Sequence, residues 1–117
     1  MKLRNKEIFR FHADLCRTMA SPKRLMIIAL LAKKEMSVGE LAEIIEVPIS
    51  NISQHLRTLK DRDVVRARKE GQTVYYSLVD RRMIEACNTL REILIDKMKA
   101  RGKIAGDLHA QELVSDD

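Results

Sequence analysis

The stretch from Ile49 to Lys60, ISNISQHLRTLK, gathers two serines, an asparagine, a glutamine, a histidine and an arginine among spaced aliphatics. Ser53 and His55 are the residue types of a nucleophile and its base. Two positions apart on a helix, however, they project about 200° from one another and cannot hydrogen-bond side chain to side chain. No other nucleophile, base and acid set stands out in the chain, and its four glycines form no phosphate-cradling loop. An enzyme reading finds no footing, and no cofactor is implied.

The same residues suit a different chemistry. Turned at about 100° per residue, Ile49, Ile52, Leu56 and Leu59 fall on one face and should point to a core. Ser50, Gln54, Arg57 and Asp61 point the opposite way, with Asn51 and Thr58 beside them. Asparagine and glutamine pair bidentately with adenine, arginine with guanine or phosphate, and serine with base edge or backbone. Gln54 is the expected base reader, with Ser50, Asn51 and Arg57 assisting. The plainer reading is a solvated helix that happens to be polar. His55, about 60° from Ile52, lies on the border of the two faces. There it can bond a phosphate or a neighbouring helix and set how its own helix sits.

A second cluster follows. Residues 64–69 and 72–78 are rich in β-branched and aromatic types, with Glu70 and Gly71 between them, which predicts a hairpin. Arg66, Arg68 and Lys69 crowd its first strand and tip, and Gln72, Thr73 and Tyr75 begin its return. A basic ribbon of this size can follow phosphates into a minor groove, giving affinity and salt dependence more than sequence choice. Any one of these cations can equally be an edge-strand charge that blocks aggregation.

Both clusters need elements to hold them. Ile8, Phe11, Leu15 and Met19 recur at helical spacing between Lys6 and Met19. Ser21 as N-cap and Pro22 at the first helical position open a second helix, to about Lys33. That helix is apolar nearly all round and belongs at the centre of the domain. Ser37, with Glu40 three residues later, fits a capping box for a short third helix carrying Leu41, Ile44 and Ile45. Glu46-Val47-Pro48 turns the chain into the polar helix, expected to run to about Arg62. Two short helices joined by a tight turn make a helix-turn-helix. After the hairpin, Asp80 should cap a long helix to about Ala100, with Met83, Cys87, Leu90, Leu94 and Met98 on one stripe.

The fold class expected is therefore mainly α with a β-hairpin wing (α+β), a winged helix-turn-helix of four helices, a hairpin and a fifth helix. Its domain should cover residues 1–101. Gly102 and Gly106 loosen residues 102–117 into a mobile C-terminal tail, in which His109 earns no role.

The totals agree. A chain of 117 residues is one domain, large enough for a core but not for a deep, layered substrate cleft. A formal charge of +5, from 22 Lys+Arg against 17 Asp+Glu, suits a polyanionic partner such as double-stranded DNA. Charge by itself decides little. The longest apolar run, Leu25 to Ala32, is far too short to span a bilayer, and the N-terminus lacks the apolar core of a signal peptide. No membrane partner is expected. Cys16 and Cys87 make no disulfide scaffold and should sit reduced in a cytoplasm.

Taken in order, four segments carry a resemblance. They are Ala20-Ser21-Pro22-Lys23-Arg24-Leu25, Ser37-Val38-Gly39-Glu40-Leu41-Ala42, Ser53-Gln54-His55-Leu56, and the run from Arg68-Lys69-Glu70-Gly71 to Tyr75-Tyr76-Ser77-Leu78. Together they resemble the ArsR/SmtB family over roughly residues 10 to 100. The resemblance implies a homodimeric transcriptional regulator, usually a repressor, paired through its first and last helices. It implies that the helix bearing Ser53, His55 and Leu56 enters the major groove while the hairpin acts as the wing. Two such helices would read an imperfect palindrome with half-sites about one turn apart. The competing expectation is a winged-helix module that turns the same basic face to an acidic protein.

The family's sensing sites do not carry over. The soft-metal members place a Cys-x-Cys pair where this chain has Ser37 and Gly39. In the zinc members' last helix, Asp80 has its counterpart, but Arg82 and Ile93 stand where histidines would and only Asp96 remains. No metal is expected at either place. Thiol-sensing relatives carry a cysteine in the second helix, where this chain has Ala29. Cys16 and Cys87 are left, and the implied pairing of the first and last helices would let them approach as a disulfide or polysulfide switch. The plain alternative is a pair of small buried hydrophobes. A His12/Cys16/Cys87 metal site is a remote third reading, with His12 and Cys16 four apart on one helical face.

Overall fold

A computed structural model describes residues 1–104 and 106–116. Its helices are α1 (Lys6–Met19), α2 (Pro22–Leu31), α3 (Val38–Ile45), α4 (Ile49–Asp61) and α5 (Arg82–Ala100), and its strands are β1 (Met36–Ser37), β2 (Val65–Glu70) and β3 (Thr73–Leu78). A short 3-10 turn follows at Ala110–Glu112. The expected winged helix-turn-helix order is observed with one addition, the short strand β1 ahead of α3. None of the described helices is long and apolar enough to cross a membrane. The chain divides into two compact units, Met1–Val79 and Asp80–Asp117.

In the first unit, local chemistry sets each helix start. The Ser21 hydroxyl accepts from the Arg24 amide at 3.4 Å, with Pro22 beside it at the opening of α2. Both halves of the capping box form on α3: the Glu40 amide donates to the Ser37 hydroxyl, and the Ser37 amide to the Glu40 carboxylate, each at 3.2 Å. Glu46 ends α3 in the left-handed region at φ 65, a conformation that costs a non-glycine residue about 1 kcal/mol or more. It is held there because its amide and that of Val47 both donate to the Ala42 carbonyl, at 2.8 and 3.2 Å. This fixed elbow sets the angle between α3 and α4.

The core joins Ile27, Ile28 and Leu31 of α2, Leu41 of α3, Ile52, Leu56 and Leu59 of α4, and Val64 and Val65 leading into β2. Ile49, expected among them, is instead 58% exposed. It is the first helical residue of α4 and lies beyond the layer that Ile52 and Leu56 fill. Likewise α2 stops at Leu31, two residues short of the expected end.

The wing is a sheet of three antiparallel strands in the order β1-β3-β2. The short β1 was not foreseen; it pairs Met36 with Tyr76 and Ser37 with Tyr75. The hairpin register pairs Glu70 with Thr73, so the turn is Gly71-Gln72, one residue later than expected. Gly71 takes φ 61 there, as the first position of a tight hairpin turn favours.

The second unit is built on α5. The N-cap of α5 is Arg81, one residue later than expected; the preceding Asp80 carboxylate accepts the Arg82 amide at 2.9 Å and pairs with the Arg82 guanidinium at 2.7 Å. Those contacts hold its carboxyl down at about 2. Ile84 and Ile95 are the buried residues of α5, whereas Leu90 and Leu94 of the expected stripe are exposed. After Gly102 the chain comes back to α5, where the Glu92 carboxylate accepts the Ala110 amide at 2.9 Å and meets His109 Nδ1 at 2.7 Å. His109, given no role from the sequence, has a defined partner.

Candidate nucleic-acid interface

The two faces of α4 differ as the helical phase requires. Ile52, Leu56 and Leu59 are fully buried. Ser50, Asn51, Ser53, Gln54 and Arg57 are all exposed on the side away from them. Their side chains make no hydrogen bond among the described residues, which leaves their donors and acceptors unpaired. Thr58 is satisfied locally, its hydroxyl donating to the Gln54 carbonyl at 3.3 Å. A helix that buries three aliphatics on one side and presents unpaired amide and hydroxyl groups on the other is suited to enter a major groove.

His55 sits between the faces, half-buried. Of its two expected uses, the structure displays the one toward a neighbouring helix. Arg24 of α2 donates its Nε–H to His55 Nδ1 at 3.2 Å. Burial, followed by the charges of Arg24 and Lys23, pushes the imidazole below its ordinary pKa. A guanidinium offers only donors, so Nδ1 is the acceptor in this contact, which puts the proton of the neutral ring on Nε2.

The wing is less open. Its register puts Arg66, Arg68, Glu70, Thr73, Tyr75 and Ser77 on one face, and Val65, Ala67, Lys69, Val74, Tyr76 and Leu78 on the other. Arg68 does not reach freely into solvent. Its Nε and NH2 groups donate to both oxygens of Glu35 at 3.1 and 2.7 Å, and NH1 donates to Glu70 at 2.8 Å. The guanidinium also stacks over the Tyr75 ring, 5.1 Å from its centroid. The hydrogen bonds to the two carboxylates raise the Arg68 pKa further, and the bond to Arg68 lowers that of Glu35. Arg66 gives one nitrogen to the Val79 carbonyl at 3.0 Å. Lys69 and Gln72 are exposed at the tip.

The sequence reading thus placed the basic residues but missed Glu35 as a partner. Thirty-three positions separate it from Arg68, and only β1 pairing with β3 brings the two together. In the single chain Cys16 on α1 is exposed and Cys87 on α5 is half-buried. No cluster of three or more His, Cys, Asp or Glu with metal-holding geometry forms among the described residues.

Known proteins share this arrangement. A family model for bacterial regulatory proteins of the arsR family matches residues 21–67, from the cap of α2 into β2. The nodulation protein NolR of Rhizobium meliloti is 38% identical over 88 residues, spanning 75% of this chain and 72% of NolR. The crystal structure of Rv0081 from Mycobacterium tuberculosis superimposes with a TM-score of 0.73 at 32% identity, covering 80% of this chain and 95% of that one. Reduced HlyU from Vibrio cholerae, whose name is that of a transcriptional activator, gives 0.68 at 39% identity, covering 75% and 97%. On the strength of the ordered motifs, the winged helix-turn-helix and these matches, the chain belongs to the arsR family of bacterial regulatory proteins.

Proposed function

We propose that this chain, a DNA-binding transcriptional regulator by family, works in the cytoplasm as a homodimeric repressor of an imperfectly palindromic operator. The observation that carries the proposal is the division of α4 into a fully buried aliphatic face and an unpaired polar face. Gln54 reads base edges in the major groove, helped by Ser50, Asn51, Ser53 and Arg57. Arg66, Lys69 and Gln72 lie along the backbone, with Arg68 and Tyr75 shaping the wing that carries them. Residues 1–101 form the working domain.

Pairing through α1 and α5 has support in each helix taken by itself. Ile8, Phe9 and Phe11 on α1, and Leu90, Ile93 and Leu94 on α5, are large apolar side chains left open to solvent. Contiguous exposure of this kind marks an association surface. Sedimentation of wild type should give a dimer, and Leu90→Glu with Leu94→Glu should give a monomer that binds DNA weakly. Repression is released by an effector or by oxidation of the thiols, for which the exposed Cys16 is the accessible partner. The test is retention of DNA from upstream of the chain's own gene by reduced, oxidised and polysulfide-treated protein, repeated with Cys16→Ser and Cys87→Ser. Equal binding throughout would remove the thiol switch. No retardation of any duplex at low salt would favour the protein-interaction module instead. Promoter firing in a reconstituted transcription reaction should fall as the protein is added; a rise would make it an activator.

A further inference from the structure

The contact between Arg24 and His55 has no counterpart in the base-reading role of α4, and it does not stop at His55. Besides donating Nε–H to His55 Nδ1 at 3.2 Å, the same guanidinium donates from NH1 to the Thr18 carbonyl at 3.0 Å. Thr18 belongs to the last turn of α1, where a helix leaves its carbonyls without intrahelical partners. It is also the buried polar residue of that helix, its hydroxyl donating to the Asp14 carbonyl at 3.1 Å. Arg24 itself is anchored at the capped opening of α2, its amide donating to the Ser21 hydroxyl. One rigid, five-donor fork therefore bonds the closing turn of α1 and the middle of α4 at once. His55 directly follows Gln54, the residue at the centre of the outward face.

We propose that Arg24 is a positioning residue for DNA recognition, fixing the rotation of α4 about its axis by tying His55 to the end of α1. The inference rests on α4 being the reading helix. A helix that rotates by one inter-residue step carries its side chains through about 100°, so a tether on the border between the faces controls which groups meet the bases. The tether also defines what His55 must be. A guanidinium offers only donors, so the link exists with Nδ1 as acceptor and not with a doubly protonated ring. The charged groups acting on that ring are Arg24 and Lys23, both from α2. Because Thr18 is at the end of the helix through which dimerisation is proposed, a movement of that turn reaches the reading face through Arg24.

Asparagine and glutamine separate the two nitrogens of His55. Asparagine places an acceptor where Nδ1 lies, and glutamine places its amide where Nε2 lies. The experiment first selects duplexes from a random pool with wild-type protein. It then measures the ratio of affinities for the selected and a scrambled duplex, with melting temperatures recorded alongside. Arg24→Met, which keeps the stem and removes the donors, should lower that ratio about tenfold, the order carried by one hydrogen bond to a charged group. His55→Asn should stay within about twofold of wild type and His55→Gln should fall as Arg24→Met does. The Arg24→Met/His55→Gln pair should lose no more than either change alone. If Arg24→Met is poorly folded, the His55 pair decides by itself. Equal ratios for the asparagine and glutamine variants, or retention by glutamine alone, would overturn the proposal. Nitrogen chemical shifts of His55 in DNA-free protein provide a second, independent readout: the proton belongs on Nε2 in wild type, and a mixture of tautomers there would also overturn it. A selection that enriches no sequence with wild-type protein would instead remove the reading of α4, and this proposal with it.

Discussion

Helix α4 and the wing both carry exposed polar and basic side chains, yet the two are held differently. On α4 the outward residues Ser50, Asn51, Gln54 and Arg57 are exposed, and the helix is anchored by the fully buried Ile52, Leu56 and Leu59. On the wing the central cation, Arg68, is already shared between Glu35 and Glu70 and stacked on Tyr75. The helix has rigid support and unpaired chemistry. The wing spends part of its charge on its own geometry. The proposed function therefore places specificity on α4 and gives the wing a smaller share of affinity than its count of basic residues suggests.

The largest effect should come from breaking the support of α4. Leu56→Ala removes a fully buried side chain and should cost about 2–5 kcal/mol in chemical denaturation. Gln54→Ala, two residues away on the opposite face, should move stability by no more than about 0.5 kcal/mol. The same change should cost about 1–3 kcal/mol of discrimination between operator and base-substituted operator, measured by fluorescence anisotropy. Comparable stability losses for the two would erase the distinction between the faces.

The wing gives smaller effects. Lys69→Ala should lower the slope of log affinity against log salt by about 0.9 for each protomer. Arg68→Ala should lower it less, because two carboxylates already offset that charge, and Glu35→Gln should steepen it by freeing Arg68. An Arg68→Ala change at least as large as that of Lys69→Ala would show the clasp to be open on DNA.

The smallest effect is a titration. The Arg68 guanidinium holds the Glu35 carboxyl below its ordinary range. The pair's small contribution to stability is thus present above the ordinary carboxylate pKa and is lost as pH falls through the lowered one. Carbon NMR of Glu35 should show the lowered midpoint in wild type and an ordinary one in Arg68→Ala. An unchanged midpoint would mean that the pair does not persist in solution.

These contrasts also explain how much was legible in the sequence. The helices, the capping box at Ser37 and Glu40, the hairpin and the outward set on α4 were readable because each rests on local spacing. The strand β1 was not, since two residues carry no period. Ile49 misled because a helical phase does not say where the neighbouring layer ends. The apolar stripes expected on α1 and α5 are not buried within the single chain: Phe11, Leu90 and Leu94 face solvent, and the buried residues of α5 are Ile84 and Ile95. The partners of Arg68 and His55 are 33 and 31 residues away in sequence, and such pairs come from tertiary structure alone. His55, whose type first suggested catalysis, instead accepts a hydrogen bond from Arg24 of α2.

The central claim is that the outward face of α4 reads base sequence through Gln54. Its most direct test is selection from a random duplex pool by wild type and by Gln54→Ala in parallel. Wild type should enrich an imperfect palindrome with half-sites about one helical turn apart, and Gln54→Ala should enrich the same site with its preference lost at one position in each half. Enrichment of no sequence by wild type, or of an identical site by both proteins, would contradict the account.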